Sequence, residues 1–179
     1  MTNLKSTYRE EIIPKLKEEL GIKNELALPY IEKIVLNVGA AQALQSKEVL
    51  AKIQEQLAII TGHTPTITLA KKSISSFKLK AKEPIGVMVT LRGKKAWDFL
   101  EKLISIVIPR MRDFRGMQND KFDKMGNYSF GITEQTLFPY LDYSKVDKVR
   151  GMVVTVVVKK SDQKKSKRML EFLGMPFRK

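Results

Sequence analysis

The 179-residue chain contains no cysteine and a single histidine. The first absence removes disulfides, thiolate zinc sites, iron–sulfur clusters and a cysteine nucleophile together. It fits a reducing compartment. The second leaves His63 as the one imidazole, in the turn Ile60-Thr61-Gly62-His63-Thr64-Pro65, without the partners that acid–base catalysis needs. Long apolar runs are missing too. The best candidate, Leu103 to Ile108, is interrupted by Ser105 and closed by Pro109, far short of the roughly 20 residues that cross a bilayer. The opening MTNLKSTYREEIIPKLKEEL mixes charges throughout, so no signal peptide is expected. Acidic residues are also scarce: 19 Asp+Glu face 33 Lys+Arg, a net charge of +14.

A cationic surplus of that size favours a polyanionic partner, either nucleic acid or an anionic membrane surface. At 43% hydrophobic and 29% charged, the chain can still bury a core. The surplus is unevenly placed. Residues 1–70 are neutral overall, 71–95 carry +7, 96–157 carry +1 and 158–179 carry +6. Clustered cations are what a phosphate-binding surface needs, because each neutralised phosphate releases condensed counterions.

Hydrophobic spacing predicts the elements. Leu4, Tyr8, Ile12, Leu16 and Leu20 mark one helical face, stopped by Gly21. Ile34 to Val38 reads as a strand. Leu44, Leu50, Ile53, Leu57 and Ile60 mark a second helix, followed by a short strand at 66–70 and a basic loop at 71–82. Ile85, Val87, Val89 and Leu91 alternate with Gly86, Met88, Thr90 and Arg92, the pattern of a half-buried strand. Trp97, Leu100, Ile104 and Val107 form a third helix that Pro109 should end. Residues 110–128 look irregular. A strand near Phe130, another from Met152 to Val158, and a helix capped by Ser161 and closed at Gly174 and Pro176 complete the chain. With no repeat and no linker, we expect a single domain over residues 1–179. Its class is α+β: a mostly antiparallel sheet with helices on one face and the other face open.

On that open face should lie Lys33, Val35 and Asn37 of one strand and Met88, Thr90 and Arg92 of another. Amides, hydroxyls and cations together can meet base edges, 2′-hydroxyls and phosphates. In the loop, Lys71, Lys72, Lys78, Lys80 and Lys82 are interleaved with Ser73, Ser75, Ser76 and Phe77. Lysine attracts phosphate, serine can hydrogen-bond it, and an aromatic ring can stack on a base.

Several stretches together resemble one family. They are Ile31 to Gly39 (IEKIVLNVG), Ile59 to Pro65 (IITGHTP), Ala70 to Lys80 (AKKSISSFKLK) and Pro84 to Gly93 (PIGVMVTLRG). Ile108 to Gly116 (IPRMRDFRG), Phe122 to Glu134 (FDKMGNYSFGITE) and Leu173 to Phe177 (LGMPF) complete the set. The chain resembles bacterial large-subunit ribosomal protein number five, the family that binds 5S ribosomal RNA. The resemblance implies a structural, non-enzymatic protein of the cytoplasmic ribosome that needs no cofactor and no metal. It implies that the protein helps attach 5S rRNA to 23S rRNA in the central protuberance, beside neighbouring proteins of the 5S particle. Asn37, Phe77 and Thr90 match the family's 5S contact positions, with Lys33 and Arg92 nearby. His63 stands where the family commonly has Gln, and it lacks a carboxamide's paired donor and acceptor. Tyr140 stands where an acidic residue is expected. Loop 71–82 is implied to reach the P-site tRNA. Arg110, Arg112 and Arg115 are candidates for 23S contact or for an intersubunit bridge to a small-subunit head protein.

Two other classes stay open on the residues alone. Asp113, Asp120, Asp123 and Glu134 could hold Mg²⁺ for phosphodiester chemistry, although Arg112, Arg115, Lys121 and Lys124 sit among them. The segment Lys164-Lys165-Ser166-Lys167-Arg168, followed by Met169, Leu170 and Phe172, could lie on an anionic membrane if those apolar residues were exposed.

Overall fold

A computed structural model describes residues 4–40, 48–77, 79–112, 114–142 and 146–178. Helix α1 runs without a break through Leu4–Thr7, Tyr8–Ile12 and Ile13–Leu20, and Gly21 closes it at φ 64°. Strand β1 is Tyr30–Gly39, α2 is Glu48–Thr61, β2 is Thr66–Leu69 and β3 is Pro84–Arg92. Helix α3 runs through Lys94–Lys102, Leu103–Val107 and Ile108–Arg110. Strands β4 (Tyr128–Ile132) and β5 (Met152–Lys159) precede the last helix, α4 (Gln163–Phe172). The five strands form one antiparallel sheet in the order β2-β3-β1-β5-β4, an α+β arrangement. Leu44 lies outside the described residues.

Both long helices meet their proline in the same way. The segments Tyr8–Ile12 and Leu103–Val107 are wound as π-turns, in which the Ile13 N–H reaches Tyr8 O and the Ile108 N–H reaches Leu103 O. Each segment is followed within two residues by proline, Pro14 or Pro109. A proline ring removes one ladder donor and crowds the carbonyl four residues back; a widened turn makes room for it. Pro109 therefore does not end α3, as its position suggested, and the helix continues to Arg110. Ser161 is likewise not the cap of α4. Asp162 is, its carboxylate accepting from the Lys165 N–H at 2.9 Å. Ser161 instead places its hydroxyl 2.7 Å from that of Ser166.

The chain forms two compact units. One comprises Met1–Ile34, Arg92–Phe130 and Thr155–Lys179, and the other Val35–Leu91 and Gly131–Val154. No linker composition marks this division, because it passes within β1, β3, β4 and β5. In the first unit Tyr8 and Trp97 pack with ring centroids 5.1 Å apart, and the Tyr8 hydroxyl donates to Pro29 O at 2.6 Å. Burial pushes the Tyr8 and Tyr128 phenols up to about 12. Gly126 adopts φ 79° under α4, where an added Cβ would lie 2.6 Å from Ser166 Oγ. In the second unit Leu50, Ile53, Leu57 and Ile60 of α2 are buried, as are Val38, Val87, Val89 and Leu91.

Within each strand the burial alternates. Ile34, Leu36 and Val38 of β1 are buried, while Val35 is half-buried and Asn37 exposed. In β3, Val87, Val89 and Leu91 are buried, Met88 and Thr90 half-buried and Arg92 exposed. In β5, Met152, Val154, Val156 and Val158 are buried, and the residues between them are not. The sheet therefore has one face turned to the core and one turned outward.

Candidate RNA-binding face

In the second unit the outward face is built by register. Strand β2 pairs antiparallel with β3, placing Thr66 opposite Met88 and Thr68 opposite Gly86. These residues share the outward side with Thr90, so threonines flank the edge of the face. Gly86 is required there by contact, because a Cβ would lie 2.8 Å from both Thr68 Oγ1 and Val38 O. The register shifts between Thr68 and Leu69, a bulge that skips Ile85. Asn37 and Thr90 make no side-chain hydrogen bond among the described residues. Their donors and acceptors thus face outward without internal partners. His63 is exposed in the turn after α2, where its carbonyl oxygen accepts from the Thr61 hydroxyl at 3.2 Å.

Lys33 departs from the expected geometry. Strict alternation from Ile34 would place it beside Asn37. Instead Ile31 and Ile34 are both buried, and Glu32 and Lys33 between them are both half-buried, so the alternation slips at this point. The outward position goes to Glu32. Its Oε1 lies 3.0 Å from Lys159 Nζ and 3.5 Å from Arg92 Nη1. The hydrogen bond from Lys159 holds the Glu32 carboxyl below its ordinary range and raises the Lys159 ammonium in turn. Arg92 is therefore not a free cation: a carboxylate that alternation would have turned inward orients it. Nearby, the hydroxyls of Ser129 and Thr155 lie 2.9 Å apart.

Loop 71–82 is ordered by its own backbone. Ile74 and Leu79 exchange both hydrogen bonds, at 2.9 and 3.1 Å, around a 3-10 turn at Ser75–Phe77. The Ala81 N–H donates to Ser73 Oγ at 2.9 Å, and Lys82 takes a left-handed φ of 68°. Glu83, the loop's neighbouring acid, accepts from the Lys80 backbone N–H at 2.8 Å. Lys71, Lys72, Ser73, Ser75, Ser76 and Lys82 are exposed, Lys80 is exposed at its turn, and Lys78 lies outside the described residues. None of Lys71, Lys72, Lys80 and Lys82 has an ion-pair partner among the described residues.

The C-terminal cluster differs. Lys165 pairs with Asp162, Lys167 with Glu171, and Arg168 with Glu19 and Glu171. Four of the C-terminal cations, Lys159 included, thus have carboxylate partners, whereas the described lysines of the loop have none among the described residues. Met169 and Leu170 are fully buried and Phe172 is half-buried under Arg168, 5.3 Å away. No apolar face remains on α4 for a membrane, and no described helix is long and apolar enough to cross one.

The acidic residues are used locally. Asp123 accepts from the Met125 and Asn127 N–H groups at 2.9 and 2.8 Å, and from Asn127 Nδ2 at 2.7 Å. Asp120 lies 3.9 Å from Lys121, and Glu134 accepts from the Thr136 hydroxyl at 3.3 Å. Asp113 lies outside the described residues. Among the described residues no three acidic, histidine or cysteine side chains come together as metal ligands. Arg110 and Arg112 are exposed at the end of α3 and Arg115 shortly after it, and Tyr140 is exposed beside Leu141 on the segment after β4.

A basic sheet protein whose outward side carries Asn37 and Thr90, with a loop of lysines that have no ion pair among the described residues, has the features of nucleic-acid-binding proteins that act by contact. Comparison with known proteins narrows the class. A family model for the C-terminal part of the ribosomal L5 family matches residues 84–177, and one described as ribosomal protein L5 matches residues 24–80. The chain is 50% identical over 177 residues to the large ribosomal subunit protein uL5 of Symbiobacterium thermophilum, covering 99% of this chain and 98% of the relative. It is 46% identical over 178 residues to the protein of that name from Rubrobacter xylanophilus, covering 99% of each. It is 44% identical over 179 residues to that of Desulfatibacillum aliphaticivorans, covering 100% of each. The chain belongs to the ribosomal protein L5 family, and is a structural component rather than an enzyme.

Proposed function

We propose that this chain, a large-subunit ribosomal protein of the cytoplasmic ribosome, binds 5S rRNA on the outward face of its sheet. The observation that carries the reading is the presence of Asn37 and Thr90 on the outward side of neighbouring strands, with polar groups that lack partners among the described residues. An RNA base edge or 2′-hydroxyl supplies what those groups lack. Phe77, His63, Lys33 and Arg92 contact the same RNA. Through it the protein helps hold 5S rRNA to 23S rRNA in the central protuberance, beside the other proteins of the 5S particle.

Loop 71–82 reaches the P-site tRNA. Its lysines are the unpaired cations described above, and its own hydrogen bonds give it a defined shape to present them. Arg110, Arg112 and Arg115 contact 23S rRNA or a small-subunit head protein at an intersubunit bridge. The test is selective retention. The purified protein should enrich 5S rRNA from total RNA, with affinity falling steeply as salt rises. Equal retention of every RNA at matched salt would reject the 5S assignment.

A further inference from the structure

On the outward side of the second unit, Asn37, Gly39, Gly131, Ile132, Thr133, Gly151, Met152 and Val153 enclose a shallow depression of about 350 Å³. Its floor contains three glycines from three neighbouring segments. Gly131 lies inside β4, Gly39 ends β1 and Gly151 just precedes β5; glycine weakens a strand interior and leaves bare backbone at any of these positions. Gly151 has a reason inside the chain, because a Cβ there would sit 3.2 Å from Ile132 O. Gly39 and Gly131 have none. Neither has a left-handed φ, and among the described residues an ideal Cβ on either meets nothing within 4 Å. Both are exposed. Bare glycine backbone of this kind leaves room for something outside the chain to approach closely, one of the recognised uses of glycine in a strand.

The depression's lining also constrains what approaches. Among the described residues it contains no Lys, Arg, Asp or Glu, although the chain carries a net charge of +14. A phosphate seated there would lose water without gaining a cation. A flat, uncharged body suits the bare peptide planes and the Val153 side chain, which is 47% exposed. At the rim, Asn37 offers a carboxamide with a donor and an acceptor side by side.

We infer that this glycine-floored depression seats an unpaired nucleobase of the bound RNA, lying flat on Gly39 and Gly131, with Asn37 reading its edge. The inference rests on the RNA-binding reading above and adds to it a base-sized seat separate from the cationic loop. Single-stranded or bulged nucleotides are the RNA elements whose faces are free to be packed in this way.

The test replaces the floor. Gly39→Ala, Gly131→Ala and the bulkier Gly131→Val are compared with the parent for thermal unfolding, for 5S rRNA affinity and for the slope of log affinity against log salt. The expected result is a Tm unchanged or raised and an affinity lowered by about tenfold or more, the scale of one lost base–protein stack. The salt slope should stay the same, because no phosphate contact is removed. Parent-like affinity in the folded Ala and Val variants would overturn the inference while leaving the RNA-binding reading intact. A shallower salt slope would also overturn it, by placing phosphate in the depression. Failure of the parent to select 5S rRNA would remove the reading beneath it.

Discussion

Replacing Asn37 with Ala and Thr90 with Val probes the outward face without disturbing the inward one. Asn37 is exposed, and Thr90 is half-buried between the buried Val89 and Leu91. Neither side chain hydrogen-bonds another described residue, so neither substitution leaves an orphaned partner in the free protein. Thr90→Val keeps the β-branched shape and strand preference. Stability of the free protein should therefore change by no more than about 0.5 kcal/mol. Binding should respond differently. A polar RNA group buried against the mutated position loses its partner, at about 1–3 kcal/mol per site, or roughly fivefold to 150-fold in Kd. The double variant should lose about the sum of the two losses if the sites read different groups. Fluorescence anisotropy with labelled 5S rRNA at fixed salt, run beside thermal unfolding, separates the two effects. A folded double variant that binds like the parent would refute the reasoning. So would a variant that binds weakly only because it has unfolded.

Substituting Lys72, Lys80 and Lys82 with Ala should leave 5S affinity largely intact and weaken tRNA engagement by reconstituted ribosomes; a large loss of 5S affinity would move the loop into the 5S contact. Gly126→Ala should destabilise the fold by about 2 kcal/mol or more, since a side chain at positive φ costs about 1–2 kcal/mol before any clash is counted; the Cβ would also meet Ser166 Oγ at 2.6 Å. Denaturant unfolding checks this. The phenols of Tyr8 and Tyr128, pushed up to about 12 by burial, fix an alkaline limit. Folded pKa values above the unfolded value of 10.0 mean that their contribution is complete below pH 10 and falls as pH rises toward 12. Tyr8→Phe should flatten that fall when stability is followed against pH, and an unchanged alkaline profile would contradict the assignment.

Much of this architecture was legible from hydrophobic spacing because burial is what spacing encodes. The β3 alternation named Val87, Val89 and Leu91 as inward, though Ile85 at the bulge is only half-buried, and Gly21 ended α1 at the left-handed position that glycine favours. What escaped was local compensation. Proline rules end a helix at Pro109, but a π-turn one step earlier absorbs the ring, and nothing in the letters announces it. Period-two reading placed Lys33 outward and Glu32 inward. The strand slips there, so that Glu32 and Lys33 are both half-buried, and with Glu32 came the ion pairs that orient Arg92 and Lys159. Lys159 itself was within reach, because alternation from Val154, Val156 and Val158 puts it outward. Charge counting gave the two basic segments almost equal weight. Only the positions of Asp162, Glu171, Glu19 and Glu32 show that Lys159, Lys165, Lys167 and Arg168 of the C-terminal one are engaged in ion pairs. Gly39 and Gly131 could be noticed as strand glycines, but only the space above them shows that the fold does not require them.

Methyl-resolved NMR of the protein titrated with 5S rRNA addresses the central claim most directly. The side chains of Val35, Met88 and Val153 line the outward face, while Val87, Val154 and Val156 are sealed beneath it. The outward methyls should shift or broaden in step with complex formation, and the buried set should stay near its free positions. Perturbation confined to residues away from the sheet, with Val35 and Met88 unmoved at saturation, would contradict RNA binding on this face.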